Sequence, residues 1–331
     1  MSLLITGGNL KAVGETKTLL RLSALALMWG SSFLWIKLGL TAFSPVQLVL
    51  IRIVLGAAVL VAICYAQRDR LPSGRRLWGH LAVAALFHNA LPFLLFAVGE
   101  RTVDSGITGV INSTTPLWTV VFAFAFGVDR TLGGPRLAGL LVGLLGVVVI
   151  FAPWHANGLL SWGALACVAA SLSYGFVNGY ESRFLSATGA SPVALAGAQM
   201  LAASGYLVFM LPAGGAEPVH LNAVAVAAVL VLGVLSTGIA FALNYRLLAA
   251  EGPVAVSMVS YLMPVVSVLL GTVFLHEALN LRVLGGMVVV LAGVALTRVR
   301  RAGGPKPSAT ARTGSTAASS AARSTRVSQP S

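Results

Sequence analysis

Continuous apolar runs of about twenty residues, separated by short polar turns, recur from Leu19 to Arg298. A helix rising 1.5 Å per residue needs about twenty residues to cross a hydrocarbon core about 30 Å thick. In lipid every backbone N–H and C=O must find its partner within the protein, so a spanning segment is a helix or part of a closed barrel. Barrel strands alternate in polarity over about ten residues, and these runs are apolar throughout. The expected fold is an all-α integral membrane protein. Ten transmembrane helices are expected at residues 19–40, 46–66, 77–98, 105–127, 136–152, 160–179, 191–213, 222–245, 254–275 and 281–298. Ser44-Pro45, Leu71-Pro72-Ser73-Gly74, Gly133-Gly134-Pro135 and Ser191-Pro192 mark turns between them. Composition agrees: 57% of residues are hydrophobic and 9% charged, whereas a soluble domain carries about a quarter charged residues.

The net charge of +13 reflects topology and not a nucleic-acid partner, because the basic residues avoid the spans. Lys11, Lys17, Arg21, Arg68, Arg70, Arg75, Arg76, Arg130, Arg136, Arg183, Arg246 and the tail from Arg298 to Arg326 fall on one side of the expected bilayer. Lys37, Arg101 and Arg282 fall on the other, and Arg52 lies inside a span. By the positive-inside rule the chain is expected in the inner or plasma membrane with both termini in the cytoplasm. Residues 1–18 are expected to be a polar cytoplasmic tail, since they lack the short apolar core and cleavage site of a removable leader. From Ala302 onward the chain is Ser, Ala, Thr, Arg, Gly and Pro, so residues 300–331 are expected to be a disordered basic tail.

Cys64 and Cys167 each lie in an apolar run, and the five histidines are far apart, so neither a disulfide framework nor a metal site is expected. No catalytic motif and no phosphate-binding loop is present, which argues against an enzyme, a cofactor, or transport driven by ATP bound to this chain.

The two halves of the chain resemble one another. Ser44-Pro45 recurs as Ser191-Pro192, Arg52 falls against Gln199, Pro116 against Pro264, Asp129 against Glu277, and Trp29-Gly30 against Tyr174-Gly175, all at offsets of 145 to 148. Five spans per repeat is an odd number, so the second copy enters the membrane from the opposite side. Inverted repeats of this kind occur in secondary transporters, where exchange of conformation between two similar halves converts an inward-open state into an outward-open one.

The Trp29-Gly30-Ser31-Ser32-Phe33 run, the Pro45-to-Arg52 stretch, the Pro116 and Pro264 helices followed by Asp129 and by His276-Glu277-Ala278-Leu279, and the Gly-rich fifth and tenth spans resemble the EamA family of the drug/metabolite transporter superfamily. The resemblance covers residues 19–152 and 160–299 as two five-helix repeats. It implies a ten-helix inner-membrane carrier that exports amino acids or other metabolites. Asp129 stands where the family has Glu.

Polar groups at membrane depth are costly and mark candidate sites. His88 and Asn89 lie near the middle of the third span, and four residues after His88 comes the helix-bending Pro92, a candidate gating position. His88 either meets substrate or a proton, or donates one structural hydrogen bond. Arg52 either lines the cavity or orients neighbouring helices. Pro116, with Asn112 and Thr115, and Pro264, with Ser260 and Tyr261, are candidate gating and binding positions; Trp29 and Tyr174 are candidate cavity walls. Gly139, Gly143 and the glycines near Gly285 are spaced for close helix packing. No carboxylate is evident within a span, so uniport and proton coupling through His88 both stand. The expected activity is alternating-access export of a small metabolite, by a monomer or dimer in the lipid bilayer. A drug or amphiphile efflux carrier is the alternative, followed by a membrane-embedded enzyme or structural subunit.

Overall fold

The structure is a computed structural model that describes residues 3–127, 134–151, 161–185, 188–256, 259–278 and 280–298. Helices make up almost all of it, and no strand occurs among the described residues. In chain order they are α1 (Leu3–Gly30), α2 (Ser32–Gly39), α3 (Pro45–Ala66), α4 (Arg75–Ala85), α5 (Leu91–Gly99), α6 (Ser105–Asn112), α7 (Thr115–Ala125) and α8 (Gly134–Phe151). The second half holds α9 (Trp162–Phe184), α10 (Pro192–Gly214), α11 (Ala223–Leu230), α12 (Ala240–Val256), α13 (Val259–Leu275) and α14 (Leu281–Arg298). A π-helical turn, Leu86–Ala90, joins α4 to α5, and another, Val231–Ile239, joins α11 to α12.

Among the described residues, six helical rods are long and apolar enough to cross a membrane: Lys17–Gly39, Pro45–Ala66, Arg75–Gly99, Ser105–Ala125, Pro192–Gly214 and Ala223–Glu251. Leu137–Phe151, Val259–Leu275 and Leu281–Leu296 are apolar but shorter. Large apolar side chains such as Leu141, Leu145, Phe209, Leu269 and Val273 face outward, as lipid exposure allows. This is a multi-pass membrane protein.

Several expected boundaries move. Helix α1 begins at Leu3, so the amino-terminal segment is helical from there, ahead of the apolar stretch that starts at Lys17. Helix α9 continues to Phe184 and α12 to Val256, which places Glu181, Arg183 and Arg246 on helices instead of in loops. The carboxy-terminal tail, Asp129 and Ser257 lie outside the described residues.

Two Ser-Pro pairs start helices by the same device. Ser44 accepts the Gln47 N–H while the Gln47 side chain accepts the Ser44 N–H, a capping box. Ser191 accepts the Ala194 N–H, and in both helices proline takes the first position, where no N–H is needed.

Proline also shapes the rod interiors. Pro92 has no N–H to offer Phe87 or His88, and the chain widens into the π turn, with Leu91 N–H bonded to Leu86 O. The Phe87 carbonyl instead accepts from Ser173 Oγ of α9 at 2.7 Å. Between α6 and α7, Pro116 breaks the ladder, and Ser113, Thr114 and Ser171 hydroxyls bond the carbonyls of Val110, Ile111 and Ile111 at 2.6, 2.7 and 3.2 Å. The matched Pro264 is buried inside α13, which runs through it unbroken.

Small residues bring the helices together. A methyl group on Gly146 would lie 2.7 Å from Val290 N and 2.9 Å from Gly286 O, and one on Gly293 would lie 2.6 Å from Gly143 Cα and 2.7 Å from Gly139 O. Helices α8 and α14 therefore meet backbone to backbone. Gly285 faces open space, so Gly286 and Gly293 make the contact on α14. Elsewhere α3 packs on α10 and on the second π turn, α9 on α5 and α7, and α1 on α12 and α13.

Candidate binding site in the helix bundle

Three helical rods bring polar side chains to one place. His88, in the first π turn, bonds through Nδ1 to Glu181 Oε1 of α9 at 2.9 Å. The same carboxylate oxygen accepts Gln199 Nε2 of α10 at 3.1 Å. The side chains of His88 and Glu181 retain 19% and 24% of their surface, so the pair is only part-buried. Aromatic rings surround the pair. His88 stands edge-on to Tyr174 at 5.8 Å between ring centres and lies 6.0 Å from Phe241. Phe241 in turn meets Trp29 at 5.9 Å and Tyr245 at 6.4 Å, and Tyr174 meets Phe96 at 6.1 Å.

Arg52 of α3 is 5% exposed. Its Nε donates to Thr237 Oγ1 at 2.9 Å, and its guanidinium carbon sits 3.8 Å from the centre of the Phe93 ring, a cation–π contact. Thr237 passes the bond on to Leu232 O at 2.8 Å, five residues back, in the π register of that turn. Tyr174 and Glu100 are its electrostatic neighbours, so Arg52 belongs to the same polar interior as His88. It does not snorkel.

Of the residues singled out from sequence, Trp29, His88, Tyr174 and Arg52 thus converge. Asn89 is fully buried beside His88, with no hydrogen-bond partner for its amide among the described residues. Asn112 and Thr115 bond each other at 3.4 Å across the α6–α7 break. One turn on, Thr119 Oγ1 accepts Asn178 Nδ2 of α9 at 3.0 Å. Ser260 and Tyr261 are half-buried on α13, where Tyr261 packs against the main apolar core. Pro92 adjoins the His88 turn, while Pro116 and Pro264 stand on α7 and α13.

The expectation that no carboxylate stands within a span is corrected by Glu181. Hydropathy ends the sixth span at residue 179 because Glu181 and Arg183 follow, but the helix continues past both. A signal was available. Cys167, Ser171, Tyr174, Asn178 and Glu181 recur at steps of three and four and so share one face of α9. All five make contacts along that face, to Thr108, Ile111 O, His88, Thr119 and His88 respectively. Gln199 and Phe241 also escaped notice as site residues.

A helical membrane protein with a polar, aromatic-walled interior shared among several broken rods has the architecture of a carrier or channel. The EamA-like transporter family model matches this chain twice, over residues 16–152 and 161–299; the chain belongs to that family. Relatives include the uncharacterized inner membrane transporter YedA of Escherichia coli K12, 29% identical over 264 residues that cover 78% of this chain and 83% of YedA. An uncharacterized transporter of Archaeoglobus fulgidus is 27% identical over 87% of this chain and 99% of its own length. The uncharacterized transporter YoaV of Bacillus subtilis is 25% identical over 84% and 95%. A solved crystal structure superposes with a TM-score of 0.61 at 21% identity, covering 86% of this chain and 96% of that one; at that identity the likeness concerns the fold.

Proposed function

We propose that the protein is a secondary carrier that exports a small metabolite, such as an amino acid, by alternating access between two inverted five-helix repeats, with both termini in the cytoplasm. The observation that carries this reading is the His88–Glu181–Gln199 cluster, walled by Trp29, Tyr174 and Phe241 and supplied by helices of both halves. Glu181 offers a negative charge to an amine and Arg52 a positive one to a carboxylate, while the aromatic faces accept an apolar or cationic moiety.

Repeat symmetry supports the mechanism. The Trp29–Phe241 and Tyr174–Phe96 contacts exchange under the sequence repeat, as do the two π turns. The packing of α1 on α13 matches that of α9 on α7, and α5 on α9 matches α12 on α1. Such halves can adopt each other's conformations in turn, which opens the shared cluster to each face alternately.

The test is flux of labelled amino acids, other metabolites and amphiphilic drugs in proteoliposomes of the purified chain. Glu181→Gln keeps the acceptor but removes the charge, costing about 1 kcal/mol. The transported compound should then move about fivefold more slowly. An unchanged rate in Glu181→Gln would remove the carboxylate from the binding role.

A further inference from the structure

At the end of the bundle formed by the 100–104 and 276–280 segments, Glu100 is fully buried. Among the described residues no hydrogen-bond donor reaches either of its carboxylate oxygens. The charged groups around it are engaged elsewhere. Lys37 Nζ, from α2, donates to the backbone carbonyls of Glu100 and Val103 at 2.7 and 2.8 Å. Glu277 accepts the Ser105 and Gly106 N–H groups at 2.7 and 2.9 Å, at the N-terminus of α6.

The two carboxyls therefore face opposite circumstances. Glu277 has two backbone donors at the N-terminus of α6. Glu100 has none. An ionised carboxylate buried without a hydrogen bond is strongly disfavoured, and such a group takes up a proton instead. Lys37, Glu277, Arg52 of α3 and Cys167 of α9 are the ionisable groups that face Glu100, and Asp104 shares its loop. Burial pushes the Glu100 carboxyl well above the usual carboxylate range; the Lys37 charge opposes this, Glu277 reinforces it and Arg52 opposes it.

The geometry points to Glu100 as a proton-binding site that stays loaded at neutral pH while the Lys37 strap and the Glu277 cap cover it. On the carrier reading proposed above, opening of this cover to water lets the site release its proton. One proton would then accompany each opening. The protonation state itself can be read without that reading, because infrared spectroscopy reports it whether or not transport is detected.

The experiment compares infrared spectra of the full chain in liposomes, wild type minus Glu100→Gln, across a pH series. The expected difference at neutral pH contains the C=O stretch of a neutral carboxylic acid, shifted in D2O and lost only on the alkaline side of the ordinary carboxylate range. Glu217→Gln, which removes an exposed carboxylate paired with Arg101, should give no such band. A wild-type difference that holds only carboxylate stretches at neutral pH overturns the proposal. If Glu100→Gln does not fold, Glu100→Leu, of similar volume, replaces it. Thermal stability supplies a second measurement. Between the ordinary carboxylate pKa and the raised one, the folded chain keeps a proton that the unfolded chain has lost, so stability falls as pH rises through that window. The wild-type Tm should decline there and the Glu100 variant's Tm should not; equal slopes overturn the proposal.

Discussion

Replacement of Gly293 by valine is expected to prevent the carboxy-terminal helix from docking. The first carbon added at Gly293 would press on Gly143 N, and would stand 2.6 Å from Gly143 Cα and 2.7 Å from Gly139 O. These are backbone atoms of α8, which cannot rotate aside as a side chain can. Overpacking of a close interface costs about 3 kcal/mol, and here two helices must separate along their shared length to relieve it. The expected outcome is a large fall in Tm in detergent and in the yield of monodisperse protein. Gly285→Ala serves as the control, since nothing lies within 4 Å of the added carbon and alanine favours a helix by about 1 kcal/mol. Equal behaviour of the two variants would show that α8 and α14 do not meet as described.

Arg52→Lys is expected to slow transport steeply while leaving the protein folded. Lysine keeps the charge but not the planar fork, so it loses both the Nε bond to Thr237 and the flat contact with Phe93. A charge-assisted hydrogen bond of this kind contributes about 2 kcal/mol, and if it orients the site the rate falls roughly thirtyfold. Flux in proteoliposomes, set against an unchanged circular dichroism spectrum, checks this. A flux equal to wild type would assign Arg52 no part in the cycle. Thr237→Val, which removes the same bond from the other side, should reproduce most of the loss.

The membrane class was legible from the apolar runs because lipid imposes one rule on every span. Trp29, Arg52, His88 and Tyr174 were legible for the same reason in reverse: each is polar or aromatic where lipid rewards neither, and the structure brings them together. Glu181 was not, because hydropathy averages over a window and ended the sixth span two residues short of it. The polar stripe from Cys167 to Glu181 has helical spacing, and following it would have extended the helix and supplied the carboxylate.

Other features depend on partners far away in the chain. Pro92 announces a bend, but it is Ser173, 86 residues from Phe87, that donates to the Phe87 carbonyl the bend releases. The second π turn contains no proline, and its register rests on Thr237 bonded five residues back. Glu277 was visible as the counterpart of Asp129, yet its role in capping α6 joins positions 172 residues apart. Matched prolines were likewise an incomplete guide: Pro116 follows a break in its rod and Pro264 does not.

Alternating access to the His88–Glu181 cluster is the central claim, and it can be tested before the substrate is known. Asn178 lies on the α9 face between Tyr174 and Glu181, and Asn178→Cys places a thiol beside the cluster. The two native cysteines are buried and are replaced by alanine in the background. Sealed vesicles of both orientations are then treated with a membrane-impermeant thiol reagent. The account predicts labelling in right-side-out and in inside-out vesicles alike, each slower than for an exposed loop cysteine. Labelling from one face only, however long the exposure, would contradict it.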